Sequence, residues 1–252
     1  MAGARTYLDE VEKLIIQVKS QEPIIAQVAE KASEAILANH WVRLFGSGHS
    51  VLPVQDCFPR YGGYPGFFPI MDPRLMWTTV SGPGGAEELL WLERQEGYMD
   101  NFLRHNVWHR DDVLIVISHG GQNAAPVEMA LAAKAQGLFV VALTSLQNHR
   151  ERAATHSSGK KIGDIADLIL DNGVTPEDAV VTVDGVGGKV GGTSTLIAIA
   201  LIQAVVAETA TRLAEKGYRV KPFASPNALG VEPGRNPAVY VEYRERLQRS
   251  GG

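Results

Sequence analysis

The stretch DDVLIVISHGGQNAAPVEMALAAKAQGLFVVALTS, residues 111–145, decides the fold. It contains two unbroken apolar runs, at 113–117 and 138–143, of the kind that forms strands buried on both faces of a parallel sheet. Residues 124–136 between them have helical composition and end at Gly137, a residue typical of the position just past a helix. The stretch therefore predicts a strand–helix–strand unit of an α/β fold.

The first turn of this unit, residues 118–123, reads Ser-His-Gly-Gly-Gln-Asn and lies between a strand and a helix. Ligands of α/β sheets bind at such turns, where helix N–H groups and the positive end of the helix dipole favour an anion. Residues 46–50 (Gly-Ser-Gly-His-Ser) and 191–195 (Gly-Gly-Thr-Ser-Thr) repeat the arrangement beside other apolar runs. The three hydroxyl-rich turns together predict a pocket for an anionic, polyhydroxylated small molecule.

Composition limits the class of protein. A chain of 252 residues with 45% hydrophobic content can bury one full core, so we expect a single α/β domain over residues 1–252. The net charge of -4, without a basic run, argues against a nucleic-acid partner. Cys57 stands alone, which fits a reducing cytoplasm, and no apolar run reaches the roughly 18 residues of a membrane span. We therefore expect a cytoplasmic protein without a membrane partner.

The two ends of the chain are predicted to be helical. Residues 4–39 form a long helical extension that Pro23 kinks or divides, and a helix of this length is expected to pack across a neighbouring subunit. The tail at 221–252 is irregular at first and then helical over 239–248.

The segments between these ends are assigned by pattern. Residues 53–73 are rich in proline and aromatic residues and predict an ordered loop that covers the pocket or a subunit contact; a surface loop packed on its own aromatics is the alternative. The remaining expectations are strands at 41–45, 74–80 and 168–170, an edge strand at 179–183, and helices at 86–105 and 196–214.

Several common motifs are incomplete in this chain. Residues 46–48 begin a dinucleotide-binding fingerprint, but Val51 stands at its third glycine position. Lys189 is followed by Val190, so residues 185–194 do not form a nucleotide phosphate loop. A metal site would require three histidines that are far apart in the sequence to converge: His49, His119 and His156. No metal is predicted.

Residues 46–50, 118–123 and 142–145 resemble, in order and spacing, the SIS (sugar isomerase) phosphosugar-binding domain. Four further stretches resemble its UPF0309 branch, which is similar to phosphoheptose isomerases: 92–98, 156–160, 190–195 and 225–227. The resemblance implies a three-layer sandwich around a five-stranded parallel sheet. It also implies a homodimer or homotetramer with sites near subunit contacts, and no obligatory cofactor.

The sequence departs from the family pattern in two places. The usual Ser-x-Ser-Gly turn is here Ser118-His119-Gly120-Gly121, and two glutamates common in relatives are replaced by Gln55 and Asp56. Both changes leave the pocket polar. They leave open whether the anionic group is a phosphate or a sulfonate, and which residue is the base.

Conversion of an aldose to a ketose needs a base beside the carbonyl and an acid that moves protons between the oxygens. A partly desolvated carboxylate suits the first role because burial raises its pKa. The candidates are Asp56, Glu93 and Glu128, of which Glu93 lies in a stretch that matches the UPF0309 branch. His156, in a polar loop, is the candidate acid or ring-opening group.

The predicted substrate-binding residues come from the three turns and their neighbours: Ser47, His49, Ser50, Arg94, Ser118, Gly120, Gln122, Asn123, Thr144, Ser145, Lys160, Thr193 and Ser194. Some have structural alternatives: His49 can brace its turn, Arg94 can pair with a carboxylate, and Thr144 and Ser145 can cap the segment after their strand. The favoured function is an aldose–ketose isomerase acting on an anionic sugar through an enediolate. A non-catalytic phosphosugar sensor and an SIS-type lyase or etherase are the alternatives.

Overall fold

A computed structural model describes residues 3–104, 106–232 and 234–249. Its centre is a five-stranded parallel sheet in the order β2-β1-β3-β4-β5. The strands are β1 Val42–Gly46, β2 Phe67–Ile70, β3 Val113–Ile117, β4 Phe139–Thr144 and β5 Leu168–Asp171. The structure thus confirms the predicted parallel sheet and the strand–helix–strand unit of β3, α6 and β4.

Ten helices surround this sheet in the described part of the chain. They are α1 Gly3–Lys19, α2 Glu22–Leu37, α3 Val51–Cys57, α4 Ala86–Leu92, α5 Tyr98–Leu103, α6 Ala124–Ala135, α7 Leu146–Glu151, α8 Ile162–Ile165, α9 Ser194–Glu215 and α10 Arg235–Arg249. A separate antiparallel hairpin consists of β6 Ala179–Thr182 and β7 Lys189–Gly192.

The alternation of side chains along the strands produces two cores, one on each face of the sheet. In β3, Val113, Ile115 and Ile117 join the core that contains α2 and α9. Leu114 and Val116 join the core that contains α6. Because both faces are covered, the strands are continuous apolar runs, and the fold is the expected three-layer sandwich.

Helix α9 is long and apolar enough to cross a membrane by length and composition alone. In this fold it packs against α2 and α3 as a core helix, and Leu201, Ile202 and Val205 are fully buried. The predicted apolar helix at 196–214 is therefore confirmed as an element of the core.

The strand predicted at 74–80 is wrong. The second strand is β2, which lies inside the segment predicted to be a loop, and residues 73–75 form a 3-10 turn whose Arg74 N–H is accepted by Asp72. Proline obscured β2 in the sequence, since Pro69 sits within it. Such a proline is tolerated because β2 pairs on one side only, with β1.

The N-terminal extension is two helices, divided before Pro23, as the sequence predicted. Two other segments differ from the prediction. The helix at 86–105 is also two, α4 and α5, separated by Gly97 in the left-handed region (φ 82°). The strand predicted at 179–183 is present as β6, but its placement at the edge of the main sheet is wrong, because β6 pairs with β7 in a separate sheet. The parts of the predicted domain, helix and tail that fall at 1–2, 105, 233 and 250–252 lie outside the described residues.

Candidate active site

A cavity of about 180 Å³ opens at the carboxyl edge of the sheet and brings the three glycine turns together. The first turn contributes His49 and Ser50, the second His119, and the third Ser194 and Thr195. The other lining residues are Ile117, Leu143, Asn172, Asp178 and Ala198. Asp178 is the acidic group of this set, and none of these described residues is a lysine or an arginine.

The chain's own carboxylate occupies the start of α9. Asp178 Oδ1 accepts the backbone N–H groups of Thr193 (2.9 Å) and Ser194 (2.7 Å), and Oδ2 accepts the Ser194 hydroxyl (3.0 Å). Burial alone would raise the pKa of Asp178, but these hydrogen bonds outweigh it and lower the pKa below its ordinary value. An anionic side chain therefore fills the third predicted anion site.

His119 is held in the cavity wall as a neutral ring. Its Nε2 lies 3.1 Å from the Thr175 carbonyl oxygen, and its Nδ1 lies 3.1 Å from Nδ2 of Asn172. Asn172 Oδ1 accepts the Val174 N–H, which directs the amide NH₂ of Asn172 towards His119. Nδ1 then accepts from Asn172, while Nε2 lies 3.1 Å from both the Thr175 carbonyl oxygen and Nδ2 of Asn148. Burial lowers the pKa of His119, which favours the neutral ring.

The start of α6 differs from that of α9, because its backbone N–H groups are not bonded to any side-chain carboxylate that the structure describes. Ser118 Oγ accepts the Gly121 N–H at 3.1 Å, and this bond closes the turn. Among the described residues, no acceptor takes the N–H groups of Gln122, Asn123 or Ala124. The Gln122 side-chain oxygen Oε1 is buried without a hydrogen-bond partner in the same part of the molecule. The α6 turn therefore retains free donors and a free acceptor.

Glu93, at the end of α4, links the first two turns. One of its carboxylate oxygens accepts the Ser47 hydroxyl at 2.7 Å, and the other accepts Asn123 Nδ2 at 2.8 Å. Its backbone carbonyl accepts the N–H of Ala125 in α6. The residue is only 6% exposed, and this burial raises the pKa of Glu93 despite the two hydrogen bonds and the charge of Arg94.

His156 lies beside the same turn, in a loop tied to it by the hydrogen bond from Thr155 Oγ1 to the Gln122 carbonyl (2.7 Å). Its Nδ1 is 2.8 Å from Ser158 Oγ. Its Nε2 lies 3.6 Å from Glu128 Oε1 and 3.8 Å from Glu96 Oε2. Glu128 also accepts the N–H groups at the start of α5, so it braces that helix. His156 is thus surrounded by carboxylates and is 8% exposed in its side chain.

Other predicted residues have structural partners away from this centre. Asp56 pairs with Arg60 and accepts a hydrogen bond from Gln203, and it lines a different groove. Arg94 is exposed, and its guanidinium donates to the Leu90 carbonyl. The structure does not bring Asp56 to Glu93, so Asp56 has no part in the proposed chemistry.

Three more predicted residues bond the local backbone, and a fourth, Lys160, does not. Ser145 caps α7 by accepting the Asn148 N–H, and Thr144 Oγ1 donates to the His119 carbonyl. Thr193 Oγ1 donates to the Asp178 carbonyl. Lys160 is exposed beside the His156 loop. The first turn is supported from outside by Trp77, whose ring meets that of His49 edge-on at 4.5 Å.

Sequence reasoning missed Asp178 and Asn172. Asn172 directly follows β5, so its place at a strand's carboxyl end was a usable signal. Asp178 had no such signal. It reaches α9 because the β6–β7 hairpin folds residue 179 against residue 192.

Comparison with known proteins agrees with this architecture. A family model described as SIS domain matches residues 6–145. UPF0309 proteins from Halalkalibacterium halodurans and Shouchella clausii are 33% and 32% identical, each over at least 95% of both chains. Among solved structures, phosphoheptose isomerase GmhA from Neisseria gonorrhoeae has a TM-score of 0.53 at 16% identity, covering 82% of this chain and 97% of its own. A phosphoheptose isomerase from Francisella tularensis has a TM-score of 0.51 at 15% identity, covering 82% and 96%.

The two solved structures share the fold, and the family model and the relatives extend that likeness to the sequence. The matched residues include the first two glycine turns, together with Glu93 and the open start of α6. The chain therefore belongs to the SIS domain family and, within it, to the UPF0309 proteins.

Proposed function

We propose that this protein is a cytoplasmic aldose–ketose isomerase acting on a sugar that carries one anionic group. The observation that carries the proposal is the position of Glu93, a buried carboxylate of raised pKa held between the first two glycine turns. A carboxylate with a pKa raised towards neutrality suits the removal of a proton beside a carbonyl.

The anionic group of the sugar is assigned to the start of α6. The free N–H groups of Gln122, Asn123 and Ala124 and the positive end of the helix dipole neutralise it there. A phosphate or a sulfonate fits this chemistry, because both present several acceptor oxygens. The sugar hydroxyls then face the cavity, where Ser50, Asn172 and Asp178 can accept or donate hydrogen bonds.

In the reaction, Glu93 takes the proton from the carbon beside the carbonyl, which leaves an enediolate. The proton returns from Glu93 to the neighbouring carbon, so no oxidant or reductant is consumed. His156 is the group proposed to move protons between the two oxygens or to open the ring. This role is supported by its polar loop, which is tied to the α6 turn.

Solvent exchange tests the proposal directly. The protein is incubated in deuterated water with a panel of aldose phosphates and sulfonated aldoses, and label beside the carbonyl is measured. We expect label with at least one sugar, and we expect Glu93→Gln to slow labelling by about 10² to 10⁴-fold, the usual worth of a general base. Ligand-induced thermal stabilisation should persist in the variant. Glu87→Gln, an exposed carboxylate on the same helix, is the matched control and should label like the natural protein.

A non-catalytic sugar-phosphate binding protein is the second candidate. It is favoured by a specific observation, namely that both Glu93 oxygens already accept hydrogen bonds and the side chain is nearly inaccessible. In that case Glu93 only braces the two turns. The same experiment separates the candidates, because a binder would be stabilised by a sugar phosphate without incorporating label.

A further inference from the structure

Two histidines and an aspartate meet at the amino edge of the sheet, opposite the cavity. His40 lies two residues before Val42 in β1, and Asp111 lies two residues before Val113 in β3. Val42 and Val113 are directly paired in the sheet, so the strand register places His40 and Asp111 side by side. His109 joins them from the turn that precedes β3.

The distances suit a common metal ligand set. Asp111 Oδ2 lies 3.8 Å from His40 Nε2 and 3.4 Å from His109 Nδ1. The two imidazole rings are stacked with centroids 3.9 Å apart, and one ligand atom from each of the three residues lies within 4.8 Å of the others. In a tetrahedral zinc site the ligand atoms are roughly 3.4 Å apart, which is close to the spacing found here. The two stacked rings would have to turn so that their in-plane lone pairs converge on one ion.

The backbone that presents these groups is fixed by buried polar contacts. Asp112, 1% exposed, accepts the N–H of Trp41 through Oδ1 (2.8 Å) and the N–H of His109 through Oδ2 (3.1 Å). The same Oδ2 accepts Arg43 Nε at 2.7 Å in a buried ion pair. The His40 N–H donates to the Ala35 carbonyl at 2.8 Å. The three ligands are therefore attached to the rigid ends of two adjacent strands.

The side chains of this cluster can also be reached from solvent, as metal binding requires. His109 Nδ1 faces the cluster, where the Asp111 N–H lies 3.3 Å from it, and a metal would replace that long contact. His109 and Asp111 are more than half exposed in their side chains, which leaves an entry path and a place for water as a fourth ligand.

We infer that His40, His109 and Asp111 bind a divalent transition-metal ion of the zinc class. Two imidazoles and one carboxylate favour Zn²⁺, Ni²⁺ or Cu²⁺, whereas Mg²⁺ and Ca²⁺ prefer sites made of oxygen ligands. The ion would join the amino ends of β1 and β3. Because these ends lie at the opposite edge of the sheet from the glycine turns, the ion acts on fold stability and not on the bound sugar.

The test uses Zn²⁺ and Co²⁺ as probes on full-length protein first treated with a chelator. We expect Zn²⁺ to raise the melting temperature at one ion per chain, and Co²⁺ to give the visible absorption of a four-coordinate site. His109→Gln and Asp111→Asn should each lower the affinity by at least about tenfold, the lower end of what even an outer-shell partner contributes. Both residues are exposed, so the metal-free variants should melt like the natural protein.

Two control variants make the assignment specific. His149 pairs with Asp164 at 3.4 Å, and the described residues offer no third ligand there, so His149→Gln should leave Zn²⁺ affinity unchanged. His156 also lies beside carboxylates, next to the α6 turn, and His156→Asn should likewise leave Zn²⁺ affinity unchanged. The inference is overturned if Zn²⁺ does not stabilise the natural protein. It is also overturned if His156→Asn abolishes the effect while His109→Gln preserves it.

Discussion

Helices α6 and α9 begin at the same edge of the sheet, yet their amino ends are used in opposite ways. The start of α9 holds Asp178, which accepts two backbone N–H groups and a hydroxyl. The start of α6, within the described part of the chain, leaves the N–H groups of Gln122, Asn123 and Ala124 without acceptors. A glycine- and hydroxyl-rich helix start therefore indicates where an anion can sit, but not whether that anion is a ligand or a side chain.

The difference bears on the substrate. Asp178 is ionised at neutral pH because its hydrogen bonds lower its pKa, and it lines the cavity. A second negative charge beside it would be repelled in a partly desolvated site. Under the proposed function, we therefore expect the anionic group of the sugar at α6 and its hydroxyls on the side of α9. A ligand with anionic groups at both ends is predicted to bind poorly.

The largest expected effect comes from making α6 like α9. Asn123→Asp places a carboxylate at the start of α6 in nearly the same volume as the amide, and it also replaces the hydrogen bond to Glu93 by two facing carboxylates. Since facing like charges cost several kcal/mol, affinity for a sugar phosphate should fall by at least about 100-fold. Isothermal titration with the sugar that labels in the exchange experiment measures this loss.

Asn101→Asp is the control for the Asn123 substitution, because it makes the same charge change at an exposed position of α5. Its affinity should equal that of the natural protein. If Asn123→Asp binds the sugar phosphate as tightly as the control, the anion does not sit at α6.

The second effect concerns α9 and stability. Asp178→Asn removes the charge from three hydrogen bonds, and unfolding free energy should drop by about 1–2 kcal/mol, allowing for solvent screening of a partly exposed group. Because the folded-state pKa is lowered below its ordinary 3.8, the natural protein holds this advantage above that value. It loses the advantage as pH falls through the lower folded-state pKa. Chemical denaturation at pH 7 and at progressively more acidic pH measures both features.

Much of the fold was predictable because hydrophobic periodicity reports burial on both sheet faces. The apolar runs of β1, β3, β4 and β5 were assigned from sequence. β2 was not assigned, because Pro69 and the surrounding aromatic residues suggested a loop. A strand can contain proline when it pairs on one side only, and this depends on which strands lie beside it. The hairpin was mistaken for a sheet edge for the same reason, since pairing partners are set by tertiary structure.

The candidate site was predictable only in part. The three turns have local signals, and they do line one cavity. The bridge from Glu93 to Ser47 and Asn123 depends on contacts across 46 and 30 residues of chain, which no local pattern encodes. The same holds for Asp178, brought to α9 by a hairpin. The catalytic and binding roles of these residues, and the expected homodimer or homotetramer, stay predictions.

A smaller effect, on the pH dependence of stability, comes from the neutral ring of His119, which lines the cavity together with the start of α9. Burial lowers the folded-state pKa of His119, so the unfolded chain takes up a proton first as pH falls below its ordinary 6.5. The natural protein should then lose up to about 1.4 kcal/mol of stability per pH unit from this group. In His119→Gln that slope should be absent. An equal slope in both proteins between pH 7 and 5 would show that His119 is not held neutral.

The smallest effect comes from placing a serine at Gly120, in the turn before α6, as the SIS pattern that this turn resembles would have it. A Cβ added at Gly120 meets no atom within 4 Å, and the residue does not have a positive φ, so Gly120→Ser should change stability by no more than about 0.5 kcal/mol. The new hydroxyl adds one donor beside the free N–H groups of α6. One net hydrogen bond is worth about 1 kcal/mol, so affinity for the sugar phosphate should rise about fivefold. Gly187→Ser, equally open but in the β6–β7 hairpin, should leave affinity unchanged. If both serines act alike, the α6 turn does not contact the anion, and α6 and α9 differ in hydrogen bonding without differing in ligand binding.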